Sequence, residues 1–184
     1  MIIKSLPFRG LKLIHRQALE DSRGFLSRLF CCNELSEAGW DKNIAQVNHT
    51  YTSQKGTVRG MHYQRPPNAE MKLVTCIMGE IWDVVVDLRL GSETYLEHYA
   101  VSLSSENGDA LLIPEGFAHG FQALTDNVHL LYCHSAFYSS GAEGGLNLSD
   151  DTLAIDWPLS ITDISDRDRS HPKIDRNFIG LSNL

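Results

Sequence analysis

Eight short runs rich in β-branched, aromatic and other apolar residues, separated by turn residues, limit what this chain can fold into. They read GLKLIH, NIAQVNHTY, GTVRGMHYQ, KLVTCIM, EIWDVVVDLRL, LEHYAVSL, ALLIP and HLLYCHSAFY. Their number and spacing predict an all-β barrel or sandwich. Within IWDVVVDL, Trp82, Val84, Val86 and Leu88 share one face, while Ile81, Asp83, Val85 and Asp87 share the other. One wall is therefore expected to be core and the other partly polar. The clearest helix is the short NELSEAG, with Asn33 as N-cap and Gly39 as its stop. The polar, charged tail SITDISDRDRSHPKIDRNF, taken alone, reads as a solvated surface segment. At 184 residues and 42% hydrophobic, residues 1–184 are expected to form one domain.

The net charge of −7, with no Lys/Arg cluster, argues against general nucleic-acid binding. A local basic pocket is still compatible with it. Pro7, Arg9, Gly10 and Lys12 interrupt the N-terminal stretch, so it lacks the apolar core of a signal peptide. No run approaches a membrane span, and the chain reads as cytoplasmic. Cys31, Cys32, Cys76 and Cys133 show no CxxC spacing and are expected to be free thiols.

The chemistry concentrates in VRGMHYQ, residues 58–64, and GDALLIPEGFAHGF, residues 108–121. In the second stretch, Gly108, Pro114, Gly116 and His119 resemble the second motif of the cupin superfamily of β-barrels. Metal-binding cupins pair such a histidine with an upstream HxH and a glutamate, because a first-row metal needs three or four converging ligands. Here the upstream place reads HYQ, with Gln64 in the position of the second histidine, and Glu70 lies in a Pro-rich loop. No metal site is expected on that ligand count.

Taken in order, DSRGFL, VRGMHYQ, MKLV, GEIWDVVVDLR, GSETY, SSENGDALLIPEGFAHGF and IDWPL carry a closer resemblance. The chain resembles the dTDP-4-dehydrorhamnose 3,5-epimerase family, metal-free cupins acting on nucleotide-linked 4-keto-6-deoxy sugars. The match runs from about Asp21 to Asp168. It implies a cupin-type antiparallel β-barrel, jelly-roll-like with a few short helices, a homodimer, and epimerisation at C3 and C5 without a cofactor. A C4 ketone acidifies the protons on C3 and C5, so such an enzyme needs a base on one face and a stabiliser for the enolate oxygen. A proton donor on the opposite face completes the inversion. The resemblance assigns His62 as base, Asp168 as the carboxylate orienting it, Lys72 as the cation beside the oxyanion, and Tyr132 as donor. Histidine titrates near neutrality and can take and release a proton there, whereas an ordinary tyrosine stays protonated.

The same resemblance carries Arg23, Arg59, Gln46 and Asn48 to the phosphate and sugar region, Tyr138 and Glu143 to the nucleobase, and His119 to the active-site wall. Guanidinium groups grip phosphates through paired N–H donors, which suits both arginines. Strict alternation along a strand would turn Arg59 and His62 to opposite faces, so both can line one pocket only if Gly60 forms a bulge. The tail offers Asp163, Asp166 and Asp168 as alternative partners for His62. The six other histidines, His15, His49, His98, His129, His134 and His171, read as structural, and of these His49 and His134 are the two that could lie near the pocket. The chain departs from many family members at Arg28, Gly144 and Leu148, where a glutamate, an arginine and a tryptophan are frequent. These differences bear on which nucleotide and sugar are bound. Inversion at C3 or C5 alone is the nearest alternative, and a metal-dependent cupin oxygenase or isomerase and a non-catalytic sugar-nucleotide binding module are the alternatives from other classes.

Overall fold

The computed structural model describes residues 1–184. Four short strands come first: β1 (Ile2–Ser5), β2 (Lys12–His15), β3 (Ala18–Asp21) and β4 (Gly24–Ser27). After α1 (Cys32–Ser36) follow β5 (Gln46–Thr52), β6 (Val58–Gln64), β7 (Lys72–Met78) and β8 (Glu80–Asp87). The chain continues through β9 (His98–Ser104), β10 (Asp109–Ile113), β11 (Phe117–Ala123), β12 (Val128–His134) and β13 (Glu143–Gly145) to α2 (Asp166–Arg169). No helix is long and apolar enough to cross a membrane.

Two antiparallel sheets carry the architecture. The first runs β1-β2-β10-β7-β12-β5 and the second β13-β6-β11-β8-β9, while β3 and β4 form a separate hairpin. Neighbours in sequence repeatedly part company: β6 and β8 lie in the second sheet, and β7 between them lies in the first. This interleaving lets two sheets close over one interior. The central cluster draws Val74, Cys76, Leu111 and Leu130 from the first sheet and Ile81, Val85, Phe117 and Phe121 from the second. Each such side chain, fully buried, contributes about 1.5–3 kcal/mol.

The outer faces are covered as well. Val84, Val86 and Leu88 project away from the central cluster and pack with Leu146, Leu148 and Leu153, with Ile155, Trp157, Ile164 and Phe178 at the edge. Both faces of β8 are therefore core, and the carboxylates Asp83 and Asp87 are fully buried among them. The tail, expected as a solvated segment, instead lays its scattered apolar residues across the second sheet. Its charged residues alternate with those anchors, which hides the apolar pattern in a reading by composition.

The first sheet is covered by Leu35, Ala38 and Trp40 around α1. Here too the sequence expectation shifts, since Cys31 rather than Asn33 occupies the N-cap and gives no side-chain bond. Gly39, at φ +101°, does end the segment, and Trp40 N–H returns to the Leu35 carbonyl. All four cysteines are free.

Candidate active site

A cavity of about 340 Å³ opens between the sheets. β6 supplies Arg59 and His62, and β11 supplies His119, all from the second sheet. β7 supplies Lys72, β12 supplies Tyr132 and His134, and β5 supplies Asn48, all from the first. Ser165, Arg167 and Asp168, at the N-terminal end of α2, also line it.

Arg59 and His62 reach the same cavity because β6 is irregular between them. His62 pairs with His119 and Arg59 with Phe121, so Gly60 and Met61 together oppose Gly120. The extra residue turns the strand by one position, as expected of a bulge at Gly60. Gly60 has φ +122°, and a Cβ there would lie 2.5 Å from the Gly120 Cα, so no other residue fits. Met61 takes up the displaced direction and packs into the outer core.

His62 Nε2 lies 2.8 Å from Asp168 Oδ1. A carboxylate only accepts, so Nε2 donates and the neutral ring keeps its lone pair on Nδ1. The second Asp168 oxygen accepts from the Gly60 amide at 3.1 Å, and the Ser165 hydroxyl accepts from the Asp168 amide as N-cap of α2. Burial opposes charge on Asp168, but the His62 bond and charge, with Gly60 and Ser165, outweigh it and hold the carboxyl below its ordinary range. The structure thereby separates the three tail aspartates: Asp168 is buried against His62, whereas Asp163 and Asp166 are exposed.

On the facing wall Lys72 is buried and lies 3.2 Å from Glu70 Oε1. The Tyr132 ring meets the ring of His119 edge-on at 5.8 Å and stacks with His134 at 5.9 Å. Burial, and next the charge of Asp83, push its hydroxyl well above the ordinary tyrosine value, so it stands protonated. His119 Nε2 is tied to buried Asp83. Arg59 is braced by Thr52 Oγ1 at 3.0 Å and the Tyr51 carbonyl at 3.1 Å.

Gln46, Tyr138 and Glu143 form a connected string beside the cavity. Gln46 Oε1 accepts from the Tyr138 amide at 2.9 Å, and Tyr138 donates to Glu143 at 2.8 Å. Glu143 in turn pairs with Arg167 of the cavity lining. Burial opposes its charge, but that guanidinium and the Tyr138 hydroxyl keep the Glu143 carboxyl low. Arg23 is the exception among the expected site residues. It sits in the turn between β3 and β4, 87% exposed, bonded to Asp21 at 2.6 Å. His134 joins the cavity, while His49 lies outside it against His129 at 2.8 Å. Arg28, one of the departures, pairs with Glu34, and nothing in the fold links it to the cavity. A Cβ on Gly144 would lie 2.4 Å from the Tyr63 ring, so Tyr63 fills the space an arginine would need.

Sequence reasoning missed Asp83, Arg167 and the Glu70–His134 contact. Asp83 carried a signal, a carboxylate between Ile81 and Val85 on one strand face; Arg167 carried none beyond its neighbour Asp168. One further group bears on metal binding: His62, Asp168 and His171 bring a ligand atom each within 4.8 Å of one another. His62 Nε2 and Asp168 already share a proton, and His171 Nε2 lies 3.8 Å from Asp168, buried without a hydrogen-bond partner. A metal on all three would displace the proton that orients His62.

An imidazole with a free lone pair, a lysine and a protonated phenol around one cavity can move a proton between faces of a bound molecule. The family profile of dTDP-4-dehydrorhamnose 3,5-epimerase matches residues 5–176. The dTDP-4-dehydrorhamnose 3,5-epimerase of Sinorhizobium fredii is 39% identical over 175 residues, spanning 95% of this chain and 90% of that one. The crystal structure of the Bacillus anthracis epimerase of the same name, with TDP and PPi bound, superposes with a TM-score of 0.91 at 35% identity, over 94% of this chain and 99% of that one. ChmJ, a 3'-monoepimerase from Streptomyces bikiniensis solved with dTDP-quinovose, gives 0.84 at 32% identity, over 91% and 85% of the two chains. The two-sheet architecture is thus the cupin-type β fold of these enzymes. This chain is an epimerase of the isomerase class, and it belongs to the dTDP-4-dehydrorhamnose 3,5-epimerase family.

Proposed function

We propose that this chain inverts C3 and C5 of a dTDP-4-keto-6-deoxyhexose by proton transfer across the cavity. The observation that carries the reading is the division of the side chains between two walls, His62 on one sheet and Lys72 with Tyr132 on the other. His62 Nδ1 takes the proton from carbon, and the C–H electron pair becomes the enolate double bond as negative charge moves to the C4 oxygen. The Lys72 ammonium faces that charge, an interaction of the kind worth roughly 3 to 4 kcal/mol at an oxyanion. The Tyr132 hydroxyl then delivers its proton to the opposite face of the carbon and the ketone re-forms. Exchange with solvent returns a proton to the phenolate and removes one from the imidazolium. No oxidation state changes, so the step needs no redox cofactor, and the Lys72 ammonium supplies the counter-charge at the enolate oxygen.

Arg59 grips the diphosphate, Asn48 and Gln46 meet the sugar and phosphate region, His119 closes the wall, and Tyr138 with Glu143 meets the nucleobase. Residues 1–184 act as one domain, working in the cytoplasm as a homodimer. The β3–β4 hairpin supports the dimer: the cross-strand partners Leu19 and Leu26 are 71% and 66% exposed on one face and Phe25 is 70% exposed on the other, apolar surface of the kind a second copy covers. Arg23 lies on that hairpin, away from its own cavity, so its phosphate role requires it to serve the partner's pocket. Incubating the protein with a panel of nucleotide 4-keto-6-deoxy sugars in deuterated water, with NMR of C3 and C5, tests the whole reading. Label and inversion at both centres are expected, label and inversion at one centre would make the chain a monoepimerase, and binding without label would overturn catalysis.

A further inference from the structure

Glu70 precedes β7 and is 9% exposed at its side chain. Its two oxygens serve different neighbours. Oε1 lies 3.2 Å from the Lys72 ammonium, and Oε2 lies 2.9 Å from His134 Nδ1. Both partners line the cavity. Since a carboxylate only accepts, Nδ1 of His134 carries a hydrogen toward Glu70, and Nε2 lies 3.3 Å from the Asn48 amide nitrogen. Burial opposes the charge of Glu70, but His134 and Lys72 together hold it ionised below its ordinary range. The other charged or titratable groups around Tyr132 are Cys76 on its own sheet and, from the second sheet, Arg59 and the His119–Asp83 pair.

An isolated buried ion pair is a poor device for stability, because desolvation consumes most of its attraction. This one instead ties two cavity side chains to one rigid acceptor. Lys72 has three N–H donors, and Glu70 takes one of them, leaving the others for a substrate oxygen. We propose that Glu70 is a positioning residue for the epimerisation: one oxygen fixes the Lys72 ammonium for the enolate, and the other is anchored by Nδ1 of His134 on the same wall.

The proposal rests on the reading of Lys72 as the enolate's counter-charge, so its test is a double-mutant cycle on Glu70→Gln and Lys72→Met. Glutamine keeps the shape of the side chain and loses the charge and one acceptor. Glu70→Gln alone is expected to lower kcat by about tenfold with the dissociation constant for dTDP unchanged within about twofold, and to cost less than about twofold in the Lys72→Met background. A Glu70→Gln protein with normal kcat, or with equal losses in both backgrounds, would overturn the role of Glu70. So would one that no longer folds or binds dTDP, since the residue would then be structural. Full turnover in Lys72→Met alone would remove the counter-charge reading itself, and the proposal with it.

Discussion

Asp168→Asn is the substitution whose consequence the geometry fixes most tightly. Asp168 accepts two hydrogen bonds, from His62 Nε2 at 2.8 Å and from the Gly60 amide at 3.1 Å. Asparagine has one acceptor oxygen and one NH2 group, and the Gly60 amide can only donate. The oxygen therefore stays with Gly60, and the NH2 turns toward His62. The ring meets it with a lone pair on Nε2, which moves the ring hydrogen to Nδ1 and blocks the base. Restoring the working tautomer sets two buried donors against each other, at about 1–3 kcal/mol. The lost charge-assisted bond to the imidazolium adds about 1.5–3 kcal/mol. A combined cost of about 2.5 to 6 kcal/mol, at about 1.36 kcal/mol per tenfold, lowers kcat by roughly two to four powers of ten. The assay is turnover of a dTDP-4-keto-6-deoxy sugar alongside calorimetric binding of dTDP, which should be unchanged. A folded Asp168→Asn protein within tenfold of wild-type turnover would refute the tautomer argument.

Tyr132→Phe should still exchange hydrogen for deuterium at C3 or C5 through His62, with little inverted product; unchanged inversion would remove Tyr132 from the mechanism, and full loss of exchange would place it in enolate formation. Lys72→Met should mainly lower kcat and Arg59→Ala mainly weaken dTDP binding, and identical pure binding defects would refute that division. The Asp168 carboxyl is held below its unfolded value of about 3.9, so its contribution to stability is complete above that pH and is lost as pH falls through the lower folded value. The stability difference between wild type and Asp168→Asn, read by urea unfolding, should accordingly shrink below about pH 4, and a constant difference would refute the linkage.

β7 was legible to the residue in KLVTCIM, because a short apolar run before a turn has one reading. The bulge at Gly60 was legible too, since two side chains needed on one face left it as the flexible point. His62, Lys72 and Tyr132 were legible through motif likeness, and the structure brings them to one cavity. The pairings between them were not. Asp168 meets His62 across 106 residues of sequence and Glu70 meets His134 across 64, and no local pattern encodes which strand lies opposite which. The β3–β4 hairpin escaped for another reason, since its apolar residues point to solvent and obey no burial rule within one chain.

The division of the cavity between two sheets has a mechanical consequence. Neither His62 nor Tyr132 sets the gap that a proton must be carried across; the thickness of the apolar layer joining the sheets does. Val85 on β8 and Leu130 on β12 belong to that layer and act as spacers. Because such interiors are close-packed and resist compression, a methyl group gained or lost there changes the separation of the two walls. The reach between base and donor is thus set in part by side chains that do not line the cavity.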